Sequence, residues 1–477
     1  AFVFPEDDVA NIFPLSDVAQ KDIPQLNEPK SLEEFPSTSF VDGSQIFNGD
    51  CLEVLRAMPD NSVTSIVTDP PYHLTSISKR FGGKNSKETN FGKDGSFQKL
   101  SKGFMGKLWD GGDIAFQTDI WKECLRVLKP GGMLLGFSFS SKYHKLATAI
   151  ENSGFIIKEQ IMWVYGQGMP KSHNIGKKLK DSKLEKYGTG LKPAFEPIVV
   201  AQKPISEKSY SRNFIKWSAG AYNIDDCRVP FEDTPNPATN PKYRKNNGYK
   251  TPPKGQKSHG AVTFSSSKND VNTLGRFPAN IIFDEFTGKT LDEQSGECGN
   301  GWKKNYGMEY SNKEYASSTQ QCVFGGKYDG KNTYSDQGGA SRFFYCPKAN
   351  QKDKNEGLEN FEYKISDVQY GSLGRKSSVQ KRIESNNTNA ARYKNNHPTV
   401  KPTSLMEYLV KLVTPDVEGA ICLDIFGGSG STAKAVAGLS NNIKFMLIEK
   451  EQEYYDTAVA RIQHEFAKQS DQSKKTA

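Results

Sequence analysis

The sequence predicts an α/β fold with a doubly wound, mostly parallel β-sheet. Three observations support this prediction. Short apolar runs alternate with segments of helical spacing on both sides of a long polar stretch. Two of the apolar runs end directly in turn-forming sequences, Asp69-Pro-Pro-Tyr72 and Gly427-Gly-Ser-Gly430. The chain has 477 residues, which is enough for one large core with a substantial appendage.

The first half of the predicted sheet lies within residues 45–205, where order is expected to begin near Gln45. A Lys129-Pro-Gly-Gly sequence is expected to end a helix before the next strand begins. In chain order, the apolar spacing predicts a helix at 51–58, a strand at 63–68, a helix at 119–128, a strand at 133–139, a helix at 142–153 and strands at 155–165 and 196–201.

The second half of the predicted sheet lies within residues 391–466, after the polar stretch. The spacing there predicts a helix at 404–413, a strand at 419–426, a helix at 431–439, a strand at 443–448 and a last helix at 451–466. Residues 467–477 are polar and are expected to form a tail. The two halves are expected to complete one sheet.

Charge is unevenly distributed along the chain, although the net charge is only +8. Residues 1–40 contain eight acids and two bases, and we expect a poorly ordered arm there. Residues 202–400 contain 30 bases and 21 acids. The basic insert, residues 206–390, is therefore the predicted place where a polyanion binds.

Several classes of protein are disfavoured by the composition. No window approaches the length of an apolar membrane helix, and the first residues lack the basic start and apolar run of a secretory signal. Seven cysteines show neither a C-x-x-C pair nor clustering with histidine, which argues against a zinc site and against a disulfide framework. We therefore expect a soluble, cytoplasmic protein without a metal.

The glycine-rich turn after the strand at 419–426 predicts a nucleoside-bearing ligand. Gly428, Gly430 and Ala433 match the small positions of the dinucleotide fingerprint, and Glu449 closes the next strand where an acid would bind ribose hydroxyls. A nicotinamide-dependent dehydrogenase shares these features, and a tight turn without a ligand is the simpler alternative.

In the turn formed by Asp69, Pro70, Pro71 and Tyr72, the two prolines lack amide hydrogens, so carbonyl oxygens beside the Asp69 carboxylate form an array of hydrogen-bond acceptors. The Asp69 carboxylate and the Pro70 carbonyl would suit the two hydrogens of an exocyclic amino group. Tyr72 supplies an aromatic face for stacking a base. The alternative to a binding turn is a turn that the prolines make rigid for structural reasons, with Tyr72 packed in the core.

The two motifs together resemble the S-adenosylmethionine-dependent amino methyltransferases of DNA. The catalytic turn precedes the cofactor turn here, as in the β group of that family, and the insert phrases RFPANIIF and GGASRFFYCPKAN resemble phage and prophage members. This resemblance implies the Rossmann-like class I methyltransferase fold in circularly permuted form. It also implies S-adenosylmethionine as the methyl donor and a target-recognition role for the insert.

The resemblance assigns roles to individual residues. The residues matching the catalytic turn are Asp69, Pro70, Pro71 and Tyr72. Those matching cofactor-binding positions are Asp50, Lys401, Thr403, Leu405, Asp424, Phe426, Gly427, Gly428, Gly430 and Glu449. Within that set, Lys401, Thr403 and Leu405 are implied to contact the methionine end, Asp50 the adenine and Glu449 the ribose. Ile425 departs from the family, in which many members have proline.

The activity implied by the resemblance is site-specific methylation of DNA at the N6 amino group of a flipped adenine. Asp69 as the first residue of the turn favours adenine, and N4-cytosine methylation is the alternative. A non-catalytic DNA-binding protein on the same fold is a more remote alternative. Double-stranded DNA is the implied partner, with a second copy of the chain and a cognate restriction endonuclease as further candidates. Arg244, Lys245 and Arg342 are expected to contact phosphates.

Overall fold

The computed structural model describes residues 30–72, 113–166, 168, 172–230, 275–296, 338–347, 353, 355–361, 364–365, 392–395, 397, 400–439 and 442–476. The expected disorder of residues 1–29 and the expected phosphate contacts of Arg244 and Lys245 lie outside these ranges.

The strands in the described part of the chain are β1 (Ser37–Ser39), β2 (Gln45–Asn48), β3 (Val63–Thr68), β4 (Leu128–Phe137), β5 (Ile156–Val164), β6 (Phe195–Gln202), β7 (Ile281–Phe283), β8 (Lys364–Ile365), β9 (Arg392–Tyr393), β10 (Ala420–Asp424) and β11 (Ile443–Glu449). The α-helices are α1 (Cys51–Ala57), α2 (Thr118–Val127), α3 (Tyr143–Asn152), α4 (Ile175–Leu179), α5 (Tyr210–Trp217), α6 (Glu285–Ser295), α7 (Thr403–Val413), α8 (Ser431–Leu439) and α9 (Gln452–Thr476).

Nine of these strands form one sheet in the order β1-β2-β11-β10-β3-β4-β6-β5-β7. Strands β2, β11, β10, β3 and β4 run parallel to one another. β6 is antiparallel to both of its neighbours, and β7 is parallel to β5. The mostly parallel sheet predicted from the sequence is confirmed. Every strand of the sheet except β1 and β6 ends at one edge, and β6 begins there.

The two halves of the chain complete a single sheet, as the sequence predicts. β11 from the second half lies beside β2 from the first half, with Leu447 opposite Ile46. β10 lies beside β3, with Leu423 opposite Ile66. The cofactor half and the catalytic half therefore share one hydrogen-bonded framework.

Both faces of the sheet are covered, which makes it doubly wound. One face packs against α7, α8 and α9, and the other packs against α1, α2 and α3. Successive strand residues alternate between these two cores. On β3, for example, Ile66 joins the α1–α3 core and Val67 joins the α7–α9 core. None of the helices in the described ranges combines the length and apolar character of a membrane span.

Two boundaries differ from the sequence prediction in the first half. Order begins before Gln45, because Phe35 is buried and β1 pairs with β2. β4 begins at Leu128 and includes the sequence that was expected to separate a helix from a strand. Gly131 takes a φ of +81°, and the pairing of β3 with β4 shifts register between Val63 and Ser65. Glycine allows this irregularity, so the strand continues through it.

Two parts of the insert, residues 206–390, contact the core of the chain. β7 extends the sheet beside β5, and its Ile282 is fully buried. The ring of Tyr345 stacks on that of Tyr408 with centroids 4.1 Å apart. At the other end of the chain, α9 continues to Thr476, so the tail predicted from residue 467 is helical as far as that residue.

Candidate functional site

A cavity of about 400 Å³ lies at the edge of the sheet where the parallel strands end. The turns that follow β2, β3, β10 and β11 all contribute to its wall. Its lining residues from these turns are Gly49, Asp50, Asp69, Pro70, Pro71, Tyr72, Asp424, Ile425, Phe426, Gly427, Gly428, Ser429, Glu449, Lys450 and Glu451. The two turns singled out in the sequence therefore face the same cavity. Ligands bind at this edge in open α/β sheets.

The Asp69 carboxylate is held by a buried ammonium group. Lys401 Nζ lies 2.6 Å from Asp69 Oδ2 and 3.2 Å from Glu196 Oε2. The Lys401 side chain is only 6% exposed. Burial lowers the pKa of Lys401, but attraction by Asp69 and then Glu196 outweighs that effect and raises it overall. Lys401 is therefore a permanent cation between two carboxylates.

The second carboxylate oxygen of Asp69 is arranged differently. Asp69 Oδ1 is buried and accepts no hydrogen bond from any described residue. A buried acceptor without a partner carries a free-energy cost of about 1–3 kcal/mol, which a donor from a ligand would relieve. Because Asp69 lines the cavity, this oxygen is a candidate acceptor for a donor bound there.

Tyr72 is fixed by the same cluster. Its hydroxyl donates a hydrogen bond of 2.9 Å to Glu196 Oε2 and lies 3.3 Å from Lys401 Nζ. Its ring centroid lies 6.5 Å from that of Phe139. Burial, then the negative charges of Asp69 and Glu196, raise the pKa of Tyr72 well above its ordinary value. The hydroxyl therefore stays protonated, and the ring keeps a defined orientation at the cavity wall.

Asp424 joins the cofactor turn to the catalytic strand. Its Oδ1 accepts hydrogen bonds from Thr68 Oγ1 at 2.7 Å and from the Phe426 amide at 3.1 Å. Its Oδ2 accepts one from Thr432 Oγ1 at 2.6 Å. Burial raises the pKa of Asp424 to about 6, although these hydrogen bonds oppose the shift. The hydrogen bonds of Asp424 therefore connect the end of β3 to the glycine turn and position the two turns relative to each other.

Glu449 closes β11 at the cavity wall. Its Oε2 accepts a hydrogen bond of 2.6 Å from the Gly428 amide, and its Oε1 accepts one of 2.8 Å from the Glu451 amide. Burial raises the pKa of Glu449 to about 7. These contacts hold its carboxylate against the glycine turn.

Asp50 lies at the start of α1 and also lines the cavity. Its Oδ1 accepts a hydrogen bond from the Leu52 amide, as is typical of a helix N-cap, and its Oδ2 lies 3.1 Å from Lys450 Nζ. The acid assigned to the adenine thus has a structural role at the helix terminus as well.

Three residues assigned to cofactor binding do not line the cavity. Thr403 begins α7 and donates its hydroxyl to Asp353 at 2.9 Å. Leu405, on the same helix, is fully buried in the core. At Gly430, a Cβ would lie 2.9 Å from that of Ala458, so the glycine allows α9 to approach the turn. The other predicted site residues all line the cavity.

The site also contains residues that the sequence prediction did not include. Glu196 lies at the start of antiparallel strand β6, and the only signal for it was a charge at the head of an apolar run. His397 and Tyr454 line the cavity and contact each other edge to face, with ring centroids 4.7 Å apart. Within the described ranges, no group of three or more His, Cys, Asp or Glu side chains has the arrangement of a metal site.

Comparison with known proteins agrees with this geometry. A family model described as DNA methylase, for N6 and N4 methyltransferases, matches residues 63–288 and 299–460. The chain is 27% identical over 203 residues to the Type II methyltransferase M.HindIII of Haemophilus influenzae, covering 37% of this chain and 64% of the relative. It is 31% identical over 110 residues to the Type II methyltransferase M.BamHI of Bacillus amyloliquefaciens, covering 23% and 21%.

The chain thus spans less than two thirds of the length of these two relatives. Among solved structures, the M1.HpyAVI–SAM complex is 15% identical with a TM-score of 0.33. That match covers 87% of this chain and 98% of the M1.HpyAVI chain.

Proposed function

The chain belongs to the DNA methylase family of N6 and N4 methyltransferases, and we propose that it methylates DNA at the N6 amino group of a flipped adenine. The single observation that carries this proposal is the shared cavity. Asp69, whose Oδ1 is a buried acceptor with no hydrogen-bond partner among the described residues, lines the same cavity as Glu449 and the glycine turn. An amino group and a nucleoside cofactor can therefore be held beside each other.

The residues at the glycine turn fit S-adenosylmethionine as the methyl donor. Glu449 is held where it can accept hydrogen bonds from the two ribose hydroxyls, and Asp50 lies at the same wall for the adenine end. Ile448 and Phe426 supply apolar contact surface. When bound, this cofactor supplies an electrophilic methyl group on a positively charged sulfur.

The residues of the catalytic turn would hold and orient the nucleophile. Asp69 Oδ1 accepts one hydrogen of the amino group, and the Pro70 carbonyl is the candidate acceptor for the second. Both bonds draw the nitrogen lone pair out of conjugation with the ring. Tyr72, fixed through its hydroxyl by Glu196, offers its ring to the face of the base.

The reaction is a direct in-line displacement. The lone pair of the amino nitrogen forms a bond to the methyl carbon as the sulfur–carbon bond breaks. The electron pair of the broken bond stays on sulfur. The nitrogen then loses a proton to water, so the step needs no general base and no covalent enzyme intermediate. Positioning and exclusion of water by the apolar wall supply the rate. Because the target amino group is paired within a duplex, the base must first be flipped out, at a cost of a few kcal/mol.

Adenine is favoured over cytosine by the first residue of the turn. Family members with Asp at the position of Asp69 mostly modify adenine, and those with Ser mostly modify cytosine. N4-cytosine methylation is the second candidate, because the same acceptor array suits that amino group.

The test is to incubate the full chain with methyl-labelled S-adenosylmethionine and unmethylated genomic DNA, digest the DNA and identify the labelled nucleoside. We expect the label in N6-methyl-2′-deoxyadenosine. Label in N4-methyl-2′-deoxycytidine would show that cytosine, the second candidate, is the target. Asp69→Ala should bind the cofactor with unchanged affinity but transfer no label, and full activity in that variant would refute the assigned mechanism.

Double-stranded DNA is the proposed partner. A second copy of the chain and a cognate endonuclease are also proposed as partners, from the Type II relatives. Size-exclusion chromatography with light scattering tests the first of these two, and restriction of unmethylated DNA by a co-purifying protein tests the second.

A further inference from the structure

We propose that the basic loop, residues 172–192, binds the phosphate backbone of DNA beside the flipped base. This inference rests on the proposed function and names a contact surface for the same substrate. The loop lies outside the basic insert, residues 206–390, where the sequence placed DNA recognition.

The loop is strongly basic, and its basic side chains are exposed. It contains six lysines and two acidic residues, which gives a net charge of +4 within 21 residues. All six lysines are exposed; they are Lys177, Lys178, Lys180, Lys183, Lys186 and Lys192. No ion pair among the described residues includes Lys177, Lys178 or Lys183. Lysines in this state are available to phosphates.

The loop projects from the edge of the sheet that holds the cavity. It leaves after β5 and returns at β6, and the Tyr165 amide donates a hydrogen bond of 2.9 Å to the Ala194 carbonyl at its base. Glu196, two residues further on, pairs with Lys401 in the catalytic cluster. A duplex whose base enters the cavity must therefore pass close to the loop.

Hydrogen bonds within the loop order the backbone that carries the lysines. Ser172 Oγ accepts bonds from the amides of Thr189 and Gly190, at 3.0 and 3.2 Å. Asn174 Oδ1 accepts one of 2.9 Å from the Lys177 amide, and Asp181 Oδ1 accepts one of 2.9 Å from the Lys183 amide. A backbone that is ordered before binding loses less conformational entropy when it meets a ligand.

Phosphate is the ligand chemistry that best fits this surface. The lysines are spread over the loop as separate point charges, as suits a regularly charged polyanion. The insert lies beside the strand from which the loop leaves, because the Asp284 amide before α6 donates a hydrogen bond of 2.9 Å to the Val164 carbonyl at the end of β5. The insert and the loop therefore flank the same edge.

The experiment compares two triple variants of the full chain. The test variant is Lys177→Gln, Lys178→Gln and Lys183→Gln. The control variant is Arg56→Gln, Lys122→Gln and Lys411→Gln, which removes three exposed charges on α1, α2 and α7, outside both the loop and the insert. Arg56 and Lys411 lie in the last turns of α1 and α7, towards the opposite edge of the sheet, where β3 and β10 begin.

The measurement is the Kd for a mixed-sequence genomic duplex as a function of NaCl concentration, which needs no knowledge of the recognition sequence. Each lost phosphate contact reduces the slope of log Kd against log salt by about 0.9, so the test variant should lose about 2 to 3 in slope. The control variant should keep the wild-type slope. Cofactor affinity should be unchanged in both variants.

A wild-type slope in the test variant would overturn the inference while leaving the proposed function intact. A weaker Kd with an unchanged slope would also overturn it, since the loop would then contact something other than phosphate. If the triple variant fails to fold, single Lys177→Gln and Lys178→Gln variants should each lose about 0.9 in slope, and two unchanged slopes would refute the inference. Failure of the wild-type chain to methylate any DNA would instead refute the proposed function.

Discussion

Lys401 Nζ lies 2.6 Å from Asp69 Oδ2, although 332 residues separate the two in sequence. This contact connects the cofactor half of the chain to the catalytic turn. It also pairs Lys401 with Asp69, while the contact of Lys401 with the methionine end of the cofactor, implied by the resemblance, stays a prediction. Since the same ammonium lies 3.2 Å from Glu196, one cation balances two carboxylates in a largely buried cluster.

The first prediction concerns that cation. Lys401→Met should leave Asp69 and Glu196 close together without a counter-charge, and their repulsion should favour one shared proton. Single-turnover methylation should then be at least about tenfold slower near pH 7, and its rate should rise over a higher pH range than in the wild type. The measurement is the pH dependence of the single-turnover rate. Lys401→Arg should recover part of the loss because it keeps the charge.

The matched control is Lys450→Met. Lys450 also pairs with an acid at the cavity, but its side chain is 67% exposed, and exposed pairs contribute only about 0–1 kcal/mol. A Lys450 variant as slow as the Lys401 variant, or a Lys401 variant with the wild-type pH profile, would contradict the charge-balancing role.

The second prediction concerns the hydrogen bond from Tyr72 to Glu196. Removing either partner, by Tyr72→Phe or Glu196→Ala, should free the aromatic ring and lower kcat more than it raises KM for DNA. A hydrogen bond to a charged group contributes about 1.5–3 kcal/mol, so each loss should be about tenfold or more. The double variant should lose little beyond either single variant. Fully additive losses in this cycle would show that the two residues act separately.

The parallel part of the fold could be predicted because each strand and helix there has its own local pattern. β3 spans Val63–Thr68 and α8 spans Ser431–Leu439, the ranges that apolar periodicity predicts. β7 could not be predicted in the same way. A strand of three residues has too few positions for a period, and its place in the sheet depends on β5.

The site residues that could be predicted from the sequence are those that lie where a strand ends in a turn. Asp69 follows a buried strand and Glu449 is the last residue of another, and parallel strands bring such positions to one edge. Glu196 lies on a strand that runs the other way, so its position at that edge depends on the pairing of β6 with β4 and β5. Thr403 follows the matching segment in sequence, but the helix it begins turns it towards Asp353.

The third prediction concerns pH and cofactor binding. Burial raises the pKa of Glu449 to about 7, so below that pH the free protein holds the carboxyl in its protonated form. Only the carboxylate can accept both ribose hydroxyls, and binding must displace the proton. The Kd for S-adenosylmethionine should therefore rise by up to about tenfold for each pH unit below 7 and stay flat above about pH 8.

The measurement is titration calorimetry between pH 6 and 8.5, with Glu449→Gln as the control. That variant should bind more weakly at pH 8 and lose the dependence near pH 7. Asp424, whose pKa is raised to about 6, should contribute only at the acidic end. A dependence that survives in the Gln variant would assign the proton to another group.

The fourth prediction separates backbone strain from steric contact at the cofactor turn. Gly430 and Gly419 have nearly equal positive φ values, +76° and +78°. Alanine at either position should cost about 1–2 kcal/mol through the left-handed backbone alone. A Cβ at Gly430 would also lie 2.9 Å from that of Ala458, whereas one at Gly419 would meet no described atom within 4 Å.

Gly430→Ala should therefore be less stable than Gly419→Ala by a further 1–3 kcal/mol or so, the usual cost of overpacking. Urea unfolding followed by circular dichroism measures both values, and the difference between the two variants cancels the backbone contribution. Because α9 packs against the turn through Ala458, Gly430→Ala should also weaken cofactor binding, and Gly419→Ala should not. Equal stabilities in the two variants would mean that α9 does not require the close approach seen at Gly430.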